Sequence, residues 1–98
     1  MYRMDNLLTL LTIEKAKELR FKAGKPPTLV SDREEHSLEG PSINGEEVEQ
    51  LFRSLANSRQ MRKLRDFGET VFVYKRQGRL PFIVRAKMQD ENLVFAVS

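Results

Sequence analysis

The sequence predicts an α+β domain, an antiparallel sheet with three helices packed on it, and three observations carry that reading. Residues 69–98 contain three apolar bursts, over 71–74, 82–84 and 93–97, separated by the polar turns Arg76-Gln77-Gly78-Arg79 and Gln89-Asp90-Glu91-Asn92. Short β-branched and aromatic runs between turn residues mark a strand meander. Val48, Leu51, Phe52 and Leu55 recur at i, i+3, i+4, i+7, the spacing of one helical face. Residues 18–22 alternate strictly, with Leu19 and Phe21 on one side and Glu18, Arg20 and Lys22 on the other, the pattern of a half-buried strand.

The remaining elements follow in order. Met4, Leu7, Leu8 and Leu11 predict a first helix that fades by Lys15, with Asp5 and Asn6 suited to the exposed N–H groups at its start. After the alternating strand, Ala23-Gly24-Lys25-Pro26-Pro27 breaks the chain, because proline cannot donate to a ladder and glycine permits a reversal. Residues 28–31 read as a second short strand. Residues 36–38 read as a weak third, an edge by its low apolar content. Asn44 with Glu47 three residues on, and Asn57 with Gln60, are capping pairs that open the second and third helices. Met61 and Leu64 form the inner face of the third, Phe67 is expected to tuck beneath its end, and Gly68 stops it. In the meander, Phe82, Val84, Ala86 and Met88 are expected to face inward with Leu93, Phe95 and Val97, and Ile83, Arg85 and Lys87 outward. Ninety-eight residues make one domain, with a single core over 1–98.

Composition and motifs remove several functional classes. With no cysteine, disulfide and thiol chemistry are excluded, and the chain suits the cytoplasm. The apolar run over residues 7–13 is too short to span a bilayer, and it lacks the basic flank and small-residue cleavage site of a signal peptide. His36 is the sole histidine and stands in a charged turn, so neither a metal set nor a nucleophile–histidine pair is expected. Gly24-Lys25 is followed by proline and lacks the preceding glycine of a phosphate-binding loop. Glu46, Glu47 and Glu49 are assigned to the first turns of a helix, where they complement its dipole. The chain is therefore read as no enzyme by itself, with no cofactor.

Charge is distributed unevenly. Residues 32–50 hold seven acidic residues against one arginine, and residues 53–87 hold ten basic residues against two acidic ones. Arg20 and Lys22 project from the first strand and Arg85 and Lys87 from the fifth. If those strands are neighbours, they make a basic face with Ile83 between the cations, extended by Val94 and Ala96 into a small apolar patch for a partner. Because alternation turns Phe21, Phe82 and Phe95 inward, that face lacks the stacking rings of single-strand nucleic-acid binders, and nucleic acid ranks last among the partners.

Taken in succession, the segments resemble a known family. Ala16-Lys17-Glu18-Leu19-Arg20-Phe21 stands where that family reads Ala-Ser-Asp-Leu-His-Leu, and Ala23-Gly24-Lys25-Pro26-Pro27 is close to its Ala-Gly-x-Pro-Pro. Leu38-Glu39-Gly40-Pro41 and Glu46-Glu47-Val48 match in order and spacing, Phe72-Val73-Tyr74 resembles Phe-Ser-Tyr, and residues 82–89 resemble Phe-Arg-Val-Asn-Ala-Phe-Arg-Gln. This is the N-terminal domain of PilT-type ATPases, the twitching-motility motors that retract type IV pili, which are related to type II secretion ATPases. The resemblance implies a PAS-like fold which, in the family, is joined to a RecA-like ATPase domain. There it packs on the ATPase domain of a neighbouring subunit in a hexamer. Lys17 and Arg20 replace the family's serine and histidine, Val71 its aspartate, and Ile83 and Met88 two arginines, so nucleotide contacts do not carry over.

The function expected from this is a non-catalytic protein-interaction module. It either docks on a hexameric pilus or secretion ATPase as a freestanding chain or forms one domain of a longer protein. Arg20, Lys22, Ile83, Arg85 and Lys87 are its expected partner-binding residues. The alternatives are a PAS-like sensor for a small anionic ligand or nucleotide and, third, nucleic-acid binding through the basic sheet face.

Overall fold

In the computed structural model, which describes residues 2–98, six strands form one antiparallel sheet in the order β3-β2-β1-β6-β5-β4. The elements are α1 (Met4–Ile13), β1 (Glu18–Phe21), β2 (Thr28–Val30), β3 (Glu35–Ser37), α2 (Gly45–Arg53), α3 (Ser58–Phe67), β4 (Glu69–Tyr74), β5 (Phe82–Gln89) and β6 (Asn92–Val97). The meander lies as expected, with β6 joining it to the β1–β2–β3 half through the register Leu19↔Val97, Arg20↔Ala96 and Phe21↔Phe95.

All three helices lie on one face of the sheet. Met4, Leu7, Leu8 and Leu11 of α1, Val48 and Phe52 of α2 and Leu64 of α3 share one buried cluster with Leu19, Phe21, Val84, Ala86, Phe95 and Val97 from the strands. At its centre the register partners Phe21 and Phe95 stack with centroids 4.3 Å apart. Phe52 tilts onto Phe95 at 5.3 Å and meets Phe72 edge-on at 6.0 Å. Such arrangements favour ring pairs beyond the area they bury.

The caps are local chemistry. Asn44 accepts from the Glu47 amide while the Glu47 carboxylate accepts from the Asn44 amide, and Asn57 and Gln60 do the same for α3. These reciprocal bonds satisfy amides that a helix start leaves open. Gly68 ends α3 at φ +78°, where its amide donates to the Leu64 carbonyl. Gly40 is favoured by its φ of +133°, and a Cβ there, 2.6 Å from the Tyr2 hydroxyl, would also displace that hydroxyl. That hydroxyl donates to the Pro41 carbonyl at 2.7 Å and ties the start of the chain to the loop before α2.

Four sequence expectations change. Phe67 does not tuck under α3: it is 76% exposed. At 3.6 residues per turn it sits about a quarter turn from the mean direction of Met61 and Leu64, and Gly68 then turns the backbone straight into β4. Met88 lies on the helix side of β5 but past the end of helical cover, so it is exposed. α1 starts at Met4 without a side-chain cap; Asp5 serves only as first-turn charge. β1 and β5 are not neighbours, since β6 runs between them.

Candidate functional site

With the helices on one side, the other side of the sheet is uncovered, and the register fixes what it displays. Arg20 of β1 is level with Ala96 of β6, Arg85 of β5 and Val71 of β4. One row further, Lys87 stands between Val94 and Glu69. Lys22, the residue after Phe21, is level with Val94 because Phe21 faces Phe95. On the opposite side of the Arg20 row, Ile83 faces Val73 and exchanges backbone hydrogen bonds with Ser98 at 2.8 and 2.9 Å. The five expected partner-binding residues therefore share one face. β6 separates Arg20 from Arg85 by two strand spacings, roughly 10 Å.

Their electrostatics differ. Arg20 forms ion pairs with Glu18 and, at 3.6 Å, with Glu35, and these carboxylates hold its guanidinium firmly protonated. Glu18 dominates through its hydrogen bond and its charge. Lys22, Arg85 and Lys87 make no ion pair within 4 Å among the described residues; Lys87 has Glu69 across the ladder, whereas the charges of Lys22 and Arg85 have no carboxylate as register partner. The sequence reading missed two members of the face. Val71 is 64% exposed and Val73 56%, beside Ile83 at 40%. The signal was present: Thr70, Phe72 and Tyr74 turn towards the helices, which forces Val71 and Val73 outward. Val73 and Ile83 thus form an apolar end of the face, Val71 lies level with Arg85 and Arg20 in the middle, and Lys22 and Lys87 stand at the other end.

The rest of the surface holds open clefts. One, about 930 Å³, has Met61, Leu64, Met88 and Leu93 in its wall and Arg53, Arg62 and Arg65 around it. A cleft of about 480 Å³ lies between the start of α1 and α2, lined by Tyr2, Glu47, Leu51 and Tyr74. The space between sheet and helices is filled by the phenylalanine stack with Leu8, Leu19, Val48 and Val84 fully buried. Among the described residues no three His, Cys, Asp or Glu side chains converge as a metal set, and no helix is long and apolar enough to cross a membrane.

This architecture is known from solved structures. The pilus retraction motor PilT, crystallised with bound ADP, superposes over 99% of this chain with a TM-score of 0.88 and 19% identity. The chain has the fold of the PilT N-terminal domain. The ATPase DotB of Legionella pneumophila matches over 96% of the chain with a TM-score of 0.76 and 15% identity. The chain spans 29% of the PilT chain and 27% of the DotB chain, under a third of either. No family model and no curated protein matches the sequence.

Proposed function

We propose that the chain is a non-catalytic interaction module that docks on the ATPase domain of a hexameric pilus or secretion motor in the cytoplasm. Its contact surface is the uncovered face of the sheet. The observation that carries this reading is the one-sided packing of the helices. It leaves Val71, Val73 and Ile83 exposed beside the unpaired cations Lys22, Arg85 and Lys87. A face that mixes apolar side chains with open charge can bury area and steer a complementary partner. Arg20, already neutralised by Glu18 and Glu35, contributes its stem more than its charge. The filled interior favours this over a ligand-holding sensor, and the lack of exposed rings among these positions favours it over single-strand nucleic acid.

Titration of the chain against a PilT-type motor whose own N-terminal domain has been removed tests the proposal. Binding is expected, and Ile83→Asp or the pair Arg85→Glu and Lys87→Glu should weaken it at least about tenfold. Phe67→Ala, on the helical side, should leave it unchanged. No binding at low salt, or face variants that bind like the parent chain, would overturn it.

A further inference from the structure

The two edges of the sheet are unlike. β3 has three residues, all exposed, and carries Glu35 and His36 next to Glu34, so it is short and charged in the way edge strands usually are. β4 has six residues, Glu69–Tyr74, paired with β5 without interruption from Glu69↔Lys87 to Tyr74↔Phe82. It contains no proline and no bulge. The Met88 amide donates to the Gly68 carbonyl at 2.8 Å. By the alternation of an antiparallel ladder, Thr70, Phe72 and Tyr74 then bond to β5, while the amides and carbonyls of Glu69, Val71 and Val73 point off the sheet. Lys75 continues the alternation of exposed and half-buried residues beyond β4, so it shares the face of Glu69, Val71 and Val73.

We infer that β4 is a self-pairing edge, and that two copies of this chain join antiparallel through it into a continuous twelve-stranded sheet. The charge pattern selects the occupant. The strand is acidic at one end (Glu69), apolar in the middle and basic at the other end (Lys75), so its best complement is itself reversed. Two hydrogen-bonded registers are closest to symmetric pairing. Centring the two-fold on Val71 sets Glu69 against Val73 and leaves the charges unmatched. Centring it between the two Phe72 residues sets Val71 against Val73 and Glu69 against Lys75, twice each by symmetry. Opposite charges and β-branched pairs across strands stabilise a ladder, and like charges oppose it, so the second register holds. All four pairs lie on the uncovered face, and both sets of helices on the other. This self-association stands apart from docking on a motor, because it depends on backbone groups at the edge.

Sedimentation equilibrium of the chain up to about 1 mM, with charge-reversal variants, tests the inference. A monomer–dimer equilibrium is expected. Lys75→Glu should weaken it at least about tenfold, since it opposes two carboxylates at both symmetric sites. Glu69→Lys should do the same, and the double reversal should restore the parent dimer. Hydrogen exchange at Val71 and Val73 should slow with concentration, while circular dichroism shows each variant folded. A chain that stays monomeric overturns the inference. So does a dimer indifferent to Lys75→Glu, a double reversal that fails to restore it, or β4 amides protected only by a strand from another protein.

Discussion

Phe52 reaches from α2 to Phe95 and Phe72, while Phe95 stacks on Phe21, so one helical ring ties together strands from both halves of the sheet. Phe52→Ala removes the ring from a site with no exposed surface and leaves a cavity against two other rings, which should cost about 3–5 kcal/mol in urea unfolding. Phe67→Ala deletes a ring already in solvent and should change stability by less than about 0.5 kcal/mol. The same residue type therefore differs several-fold in consequence between two helices. At the surface, Asp32 holds the Lys17 ammonium above its ordinary range, by a hydrogen bond first and charge second. This contact favours the folded state below the ordinary lysine pKa and is lost as pH rises through the elevated one. Both groups are exposed, so it contributes little.

At the scale of the element, the β5–β6 hairpin departs from preferred turn chemistry. Gln89 pairs with Asn92, leaving a two-residue loop in which Asp90 and Glu91 both have positive φ, 51° and 67°. A two-residue loop of this kind favours Asp-Gly, because glycine meets no Cβ penalty there. Glu91→Gly should stabilise the chain by about 0.5–1 kcal/mol, net of the entropy glycine adds to the unfolded state, and raise its melting temperature by a few degrees. An unchanged or lower melting temperature would show that the loop carries no such strain. The helices are better matched to local rules: α2 and α3 have complete capping boxes, whereas α1 has no side-chain cap and is held by four buried side chains.

For the whole molecule, helices on one side of a six-stranded sheet leave the other side and one long edge uncovered; docking uses the first and self-pairing the second, with Val71 and Val73 common to both. Their dependence on salt separates them. Docking through Lys22, Arg85 and Lys87 is steered by open charge, so its association rate should fall several-fold as salt rises from about 50 to 500 mM. Edge pairing rests on backbone hydrogen bonds and valine contacts as well as two ion pairs, so the dimer should weaken less over the same range. Surface plasmon resonance and sedimentation at matched salt would check the contrast. A docking rate indifferent to salt would remove the cations from the encounter.

Local pattern alone determined which residues form each element of this protein. Capping pairs, the glycine stop at Gly68, the alternation over residues 18–22 and the apolar bursts of the meander all act over a few neighbouring residues, so they are legible without a fold. The outward direction of Arg20, Ile83, Arg85 and Lys87 was legible for the same reason, and that of Val71 and Val73 could have been. Strand order was decided only by the tertiary structure, because it depends on pairings between distant segments. By inserting β6 between β1 and β5, that order spaced the cations across an alanine and made β4 an edge. The exposure of Phe67 and Met88 was decided there too, since it depends on where helical cover ends.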